Sequence, residues 1–420
     1  MAAFADPATL SLVALLTVVV VSLTSRINIG VLAIALATIV AVLVARWKPA
    51  ELASAFPADL FLTLLGVSIL FGAAQANGTL QAIAERVVWL TAGHASLLPV
   101  FFFIFAALFS AMGPGAIAAT ALIAPLALTT GVRAGAPVFL LVLMVGNGAN
   151  AGNLSPVAAG GLIVSAQMAK AGLVGHEWAA FAANLVAHTA VAAGAYLAFG
   201  GLGLLRKGRA GAETIALAPF EAQHWFSLGV IAVWIVCVVF LGYPPGLTAF
   251  IAAAVLILAK LADDAASLKS VPWTVIMMVS GVGLLIAVMD RTGGMDLFTT
   301  LLAQIATPDT VNGVMAFVTG LISTYSSTSG VVYPAFLPTV ADLAAKLGGG
   351  NPLEIALSIN VGAALVDVSP LSTIGALSLA AVPAGAADMR KLFRNLLVWG
   401  FAMTIVGALF CQLLIGFFAW

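Results

Sequence analysis

Charge is scarce in this sequence: only 8% of its 420 residues are Asp, Glu, Lys or Arg, where a soluble globular domain carries about a quarter. With 63% apolar residues, most of its surface must face lipid, and no stretch is left for a soluble domain. Cysteine is nearly absent as well. Cys237 and Cys411 each fall within an apolar stretch, so neither a disulfide framework nor a metal site can be built from them, and both are read as packing residues. The formal net charge of +0 carries no information about nucleic acid, which is not expected as a partner. The start, MAAFADPATLSLVALL, lacks the basic region and cleavage site of a signal peptide, and is read as a retained first helix.

What is present is a series of apolar segments long enough to cross a hydrocarbon core as helices. Spans are expected at 8–25, 28–46, 59–76, 137–169, 179–204, 225–242, 246–262, 272–289, 353–383 and 395–418. Two further stretches, 97–130 and 312–345, are interrupted near their centres by MGPG and STYSSTSG. Each is too long for one span and has turn chemistry in the middle, which predicts a re-entrant helical hairpin. Backbone that leaves the helix at membrane depth must be buried in protein or line a wet cavity, so the hairpin tips mark a polar interior. Segments 78–92 and 293–306, carrying Glu85, Arg86, Asp296 and Gln304, are expected to lie at the interface.

The chain also repeats itself. Pro57 aligns with Pro272, Gly66 with Gly281 and Gly78 with Gly293 at one offset. Ser110 then meets Ser323 and Pro125 meets Pro338, Gly148 meets Gly362, NLSP (Asn153–Pro156) meets DVSP (Asp367–Pro370), and Gly161 meets Gly375. The expected fold is therefore an all-α polytopic membrane protein of two repeats, residues 1–205 and 225–420, joined by a cytoplasmic linker at 206–224. An odd number of spans per half, five with one hairpin, turns the second half upside down, the inverted plan of secondary transporters, whose site lies at the repeat interface. Placing Arg206, Lys207 and Arg209 in the cytoplasm also puts Arg26, Arg86, Arg133, Lys260, Lys269, Arg390, Lys391 and Arg394 there, and leaves Arg46, Lys48, Lys170, Arg291 and Lys346 outside. That satisfies the positive-inside rule. Both termini are then periplasmic, with the first hairpin entering from inside and the second from outside.

The chemistry is expected where the helices break. Asn147, Asn150, Asn153, Ser155 and Pro156 stand among glycines in the middle of segment 137–169, and Asn360, Asp367, Ser369, Pro370 and Ser372 occupy matching places in 353–383. Pro and Gly both disfavour helix. Broken helices offer free N–H groups and a positive dipole end to carboxylates, and unwound carbonyls with Asn or Ser oxygens to Na⁺. No Arg or Lys lies in 111–117, 146–156, 325–330 or 360–372, so an anion there must be met by backbone dipoles, hydroxyl donors and bound cations. Each residue also has a plainer reading. The asparagines could bond helix to helix in a Gly-rich seam, the tip hydroxyls could be caps, and His188 a helix-contact histidine. Tyr325 and Tyr333 are read as packing, and Asp290 with Arg291 as a solvated or interfacial pair. Asp367, the only carboxylate in these segments, is functional by default at membrane depth.

Several strings that carry this arrangement, FPADLFLTLLGVSILFGAAQANGTL, SAMGPGAIAATALIAP and MVGNGANAGNLSP, resemble the malonate-carrier-type dicarboxylate transporters. More distantly, the paired hairpins and broken helices are similar to divalent anion/sodium symporters of the ion transporter superfamily. That resemblance implies a homodimer, a fixed scaffold and a mobile transport domain moving elevator-fashion. It also implies a Ser-Asn-Thr triplet at each hairpin tip that binds both sodium and a substrate carboxylate. The second tip offers Thr328, Ser329 and Gly330 there, after Ser326 and Ser327; the first offers only Gly115, Ala116 and Ile117.

The expected function is secondary transport of a small organic dianion, malonate or a C4-dicarboxylate, across a bacterial inner membrane. Sodium is the expected coupling ion and no other cofactor is expected. Expected substrate contacts are Gly113, Gly115, Asn153, Ser155, Ser326, Ser327, Thr328 and Ser369; expected cation contacts are Asn147, Asn150, Ser329, Asn360 and Asp367. Proton-coupled symport or exchange of a larger or aromatic dicarboxylate is the alternative. A channel or a membrane enzyme is disfavoured: HEWAA (His176–Ala180) lacks the second histidine of a zinc-protease motif, and two half-chain repeats do not make one continuous pore.

Overall fold

The computed structural model describes residues 6–25, 27–90, 96–205 and 219–420; Arg26, Arg206, Lys207 and Arg209, with most of the expected linker, lie outside them. The described chain is helical. Its first half runs α1 (Pro7–Thr24), α2 (Ile29–Thr38, prolonged by a π-helical stretch Ile39–Val44), α3 (Pro49–Ser54), α4 (Ala58–Ala76), α5 (Thr79–Leu90), α6 (Leu98–Ala111), α7 (Gly115–Arg133), α8 (Val138–Asn153), α9 (Ala159–Lys170), α10 (Glu177–Ala198) and α11 (Gly201–Leu205). The second runs α12 (Ala222–Val239), α13 (Pro245–Leu258), α14 (Asp264–Lys269), α15 (Trp273–Thr292), α16 (Gly294–Ala303) and α17 (Val311–Ser323). It continues with a π-helical turn Thr328–Val332, α18 (Tyr333–Phe336), α19 (Val340–Leu347), α20 (Pro352–Leu365), α21 (Thr373–Ala380) and α22 (Met389–Leu414). Among the described residues α4, α7, α10, α12, α15 and α22 are long and apolar enough to cross a membrane, and the other apolar helices are shorter.

Local sequence explains the helix starts. Asp6, Asn28, Asp263, Asn351 and Asp388 cap α1, α2, α14, α20 and α22 with their side-chain oxygens, and Pro stands in the first turn of α1, α3, α6, α13 and α20, where its missing N–H costs nothing. The breaks differ from expectation in one respect. Segment 137–169 stays helical through Asn147, Asn150 and Asn153 and opens only at 154–158, ahead of Pro156; its counterpart opens at 366–372. The expected span 179–204 divides at Gly200, whose φ is +105°, and the short helices α3 and α14 were not expected.

Helix contacts fall into matching pairs. Helix α4 lies on α13 while α15 lies on α2; α6 lies on α8 while α17 lies on α20; α7 meets α21 while α9 meets the α18 segment. These crossings are tight because glycine lets backbones approach. A Cβ on Gly66 would sit 2.3 Å from the Gly246 carbonyl oxygen, and one on Gly281 would sit 2.3 Å from that of Gly30. Gly148 is equally close to the Phe103 oxygen (2.3 Å), and Gly362 to that of Ala316 (2.6 Å). Helices α1, α2 and α15 pack on one another and α4 packs on α13 and α14, while both helical hairpins, the broken helices, α10 and α22 gather together.

Because the obstructing atoms are backbone, Gly66→Ala and Gly281→Ala should each destabilise the protein by about 1–3 kcal/mol, read as a lower thermal midpoint in detergent. Gly229→Ala, which meets nothing within 4 Å, should leave the midpoint unchanged.

Candidate functional site

Four chain breaks meet at one place. Between α6 and α7, Met112–Pro114 turn the chain, with Gly113 at φ +145° and Gly115 at +74°. Gly113 has no room for a side chain, since a Cβ there would lie 2.1 Å from the Phe71 ring of α4. The break after α8 is tied to this tip: Ser155 Oγ donates to the Ala111 carbonyl at 2.6 Å, the Ala159 N–H to that of Gly113 at 3.1 Å, and the Ala116 N–H to Asn153 Oδ1 at 3.0 Å. In the second half the Thr328 and Ser323 hydroxyls hydrogen-bond each other, and Tyr333 donates to the Asn360 carbonyl at 3.2 Å.

The breaks enclose a cavity of about 280 Å³, at the small end of ligand pockets, which span roughly 300–1,000 Å³. One side of its wall is Gly113–Ala118, Asn153, Ala159 and Gly160; facing it are Ser327, Thr328, Ser329, Asp367 and Thr373. The N-terminal ends of α7, α9, α21 and the π-turn at Thr328 therefore all present backbone to it. Each helix N-terminus carries roughly half a positive charge, so these ends together offer about two. Among the described residues, no Lys or Arg lines the cavity, and Asp367 is its one carboxylate. An anion here meets backbone N–H groups and hydroxyls, with a negative group at one end.

The structure thus brings Gly113, Gly115, Asn153, Ser327, Thr328, Ser329 and Asp367 together on the cavity wall and leaves other expected contacts out of it. Ser155 and Ser369 are buried turn hydroxyls in the two Ser-Pro breaks: Val157 N–H donates to one and Leu371 N–H to the other, each at 3.4 Å. Ser326 is buried with its hydroxyl unpartnered. Asn147 is fully occupied within the helix bundle, its Nδ2 donating to the Leu143 carbonyl and its Oδ1 3.0 Å from His188 Nδ1. Asn150 is buried with neither amide atom partnered, while its carbonyl accepts from Asn184 of α10 at 2.7 Å. Asn360 Nδ2 points to the Met168 sulfur at 3.7 Å. Asn147 and His188 thus meet across α8 and α10. Tyr333 is buried and Tyr325 stacks on Phe401. Arg291 turns over the Trp47 ring, and Lys346 forms an ion pair with Asp296 at 2.6 Å.

Sequence reasoning missed the opposite wall, where Ser68, Phe71, Gly72 and Gln75 of α4 and Ser270 before α15 complete the cavity. The signal was available, because Ser68, Gly72 and Gln75 recur at helical spacing on one face of an otherwise apolar helix.

Residues 6–153 match the family model described as the dicarboxylate carrier protein MatC N-terminus, so the resemblance drawn from the sequence is shown over that part of the chain. No curated protein matches. Among solved structures the chain is similar to the YdaH transporter of Alcanivorax borkumensis, with a TM-score of 0.51 and 16% identity, covering 87% of each chain. This likeness shows the fold, a helical architecture shared with that transporter. Both comparisons are with transporters, not enzymes.

Gly113→Ala must both strain its backbone and displace Phe71. It should weaken binding of a cavity ligand at least about tenfold, the scale of one lost charged hydrogen bond, with circular dichroism unchanged.

Proposed function

We propose that this protein is a secondary active transporter of a small organic dianion, a dicarboxylate such as malonate or a C4-dicarboxylate, coupled to sodium in a bacterial inner membrane. The observation that carries this reading is the convergence of four helix N-termini on one small cavity that no Lys or Arg lines among the described residues. Such a cavity suits two carboxylates and needs no side-chain cation. The match of residues 6–153 to a dicarboxylate carrier family supports the substrate class.

In this reading residues 1–205 and 225–420 are inverted repeats, each of five spans and a re-entrant hairpin, and 206–224 is a cytoplasmic linker. The matching pairs of helix contacts support it. The cavity is bounded by α4 on one side and both hairpin tips on the other. A site so placed suits an elevator, in which the hairpin body carries substrate past a scaffold of α1–α4 and α12–α15, in a homodimer. In this reading Gln75 and Ser270 line the cytoplasmic side of the cavity.

Asp367, Thr328 and Ser329 form the cation end, with oxygen donors that suit Na⁺. Asp367 also supports a second reading, proton-coupled symport or exchange. Uptake of labelled malonate and a C4-dicarboxylate into proteoliposomes, with sodium and proton gradients imposed separately, tests both. Sodium-driven accumulation that Asp367→Asn abolishes is the expected result; no ion-driven uptake of any carboxylate would remove the proposal.

A further inference from the structure

The α4 wall of the cavity carries one group that neither binds an ion nor donates a hydrogen bond. Phe71 is the one aromatic side chain on the cavity wall among the described residues, and it is buried. Its ring edge lies directly over the first hairpin tip, because Cε2 and Cζ occupy the space that a Cβ on Gly113 would need. The ring also meets Trp234 of α12 edge to face, with 5.8 Å between centroids and 82° between planes.

Trp234 is itself held in place. It is buried, and its Nε1 donates to the Pro245 carbonyl at the start of α13 at 3.1 Å, so the indole has a fixed orientation. Helix α4 is seated just as closely: Gly66 lies on Gly246 of α13, and Gly72 admits Ser270 Oγ. A ring braced on both sides in a close-packed interior is a rigid wall. Trp234 does not line the cavity; with Phe226, Val233 and Ile251 it lines a separate apolar groove of about 670 Å³ between α12 and α13. The two stacked rings therefore stand between that groove and the cavity of about 280 Å³.

Straight-chain dicarboxylates carry the same two charged ends and differ in the number of methylenes between them. Donors and cations at the ends cannot tell them apart; the space between can. We propose that Phe71 sets the length of dicarboxylate that the cavity accepts, favouring chains of three or four carbons, and that Trp234 is the positioning residue that keeps Phe71 over the first tip. The same ring turns away aromatic dicarboxylates. The proposal deepens the transport reading above and rests on it for the substrate class.

Binding of malonate, succinate, glutarate and adipate to the purified full-length protein in detergent with sodium present, measured by calorimetry, reads length preference without requiring transport. The wild-type protein should bind succinate at least about tenfold more tightly than adipate, the scale of one or two methylenes in a confined pocket. Phe71→Leu keeps an apolar side chain and should narrow that ratio; Phe71→Ala should change it by about tenfold or more. Trp234→Ala should move it the same way, and Trp234→Phe, which keeps a ring behind Phe71, should restore it. Lost stability alone would weaken binding of all four acids alike and leave the ratio where it was. An unchanged ratio in both Phe71 variants, or a wild-type protein that binds adipate as tightly as succinate, would overturn the proposal. A shift in the Phe71 variants with none in Trp234→Ala would overturn the positioning role. The expected length preference in a protein that accumulates no dicarboxylate under any ion gradient would support the proposal and count against active transport. Binding of none of the four acids by a folded wild-type protein would overturn the proposal and the dicarboxylate reading together.

Discussion

Lipid offers no hydrogen bonds, and the rest of the structure follows from that constraint. A helix that stops at membrane depth leaves N–H and carbonyl groups that only protein, water or solute can satisfy. This chain stops four times in its interior and brings the four ends together around one cavity. Within the first half the loose ends are partly knit to each other, through Ser155 to Ala111, Ala159 to Gly113 and Ala116 to Asn153. What remains unfilled faces the cavity. The same donors that would destabilise an empty, dry site make it receptive to carboxylates.

Tight packing around the breaks is a condition of this arrangement. Gly161 and Gly375 each leave a would-be Cβ 1.9 Å from a carbonyl oxygen of their own break, Ser155 and Ser369, so each half-helix folds back closely on the turn that precedes it. Gly113 admits Phe71, which in turn stacks edge-on against Trp234 at 5.8 Å between centroids. The first hairpin tip is thereby seated on α4, and the second rests on Met278 of α15 through Gly330.

Much of this was legible in the sequence because breaks in apolar segments are written in Gly, Pro and Ser. MGPG and STYSSTSG marked both tips, and NLSP and DVSP marked both broken helices. Side-chain direction was not legible. Asn147, Asn150 and Asn153 look equivalent as a string, yet they stay on a helix whose faces differ, so Asn147 meets His188 while Asn153 reaches the cavity. Ser155 and Ser369 look equivalent by residue type, yet the Ser155 hydroxyl also ties its break to the Ala111 carbonyl, while that of Ser369 accepts the Leu371 N–H within its own turn. The α4 wall depends on how two distant halves pack, which no local pattern specifies.

The central claim is that carboxylates are held by helix ends and not by a basic side chain. A structure determined with a dicarboxylate and sodium bound tests it most directly. Carboxylate oxygens within hydrogen-bonding distance of backbone N–H groups at the starts of α7, α9 or α21, with no Lys or Arg in contact, is the predicted result. A dicarboxylate gripped by an Arg or Lys side chain, or bound away from this cavity, would contradict it.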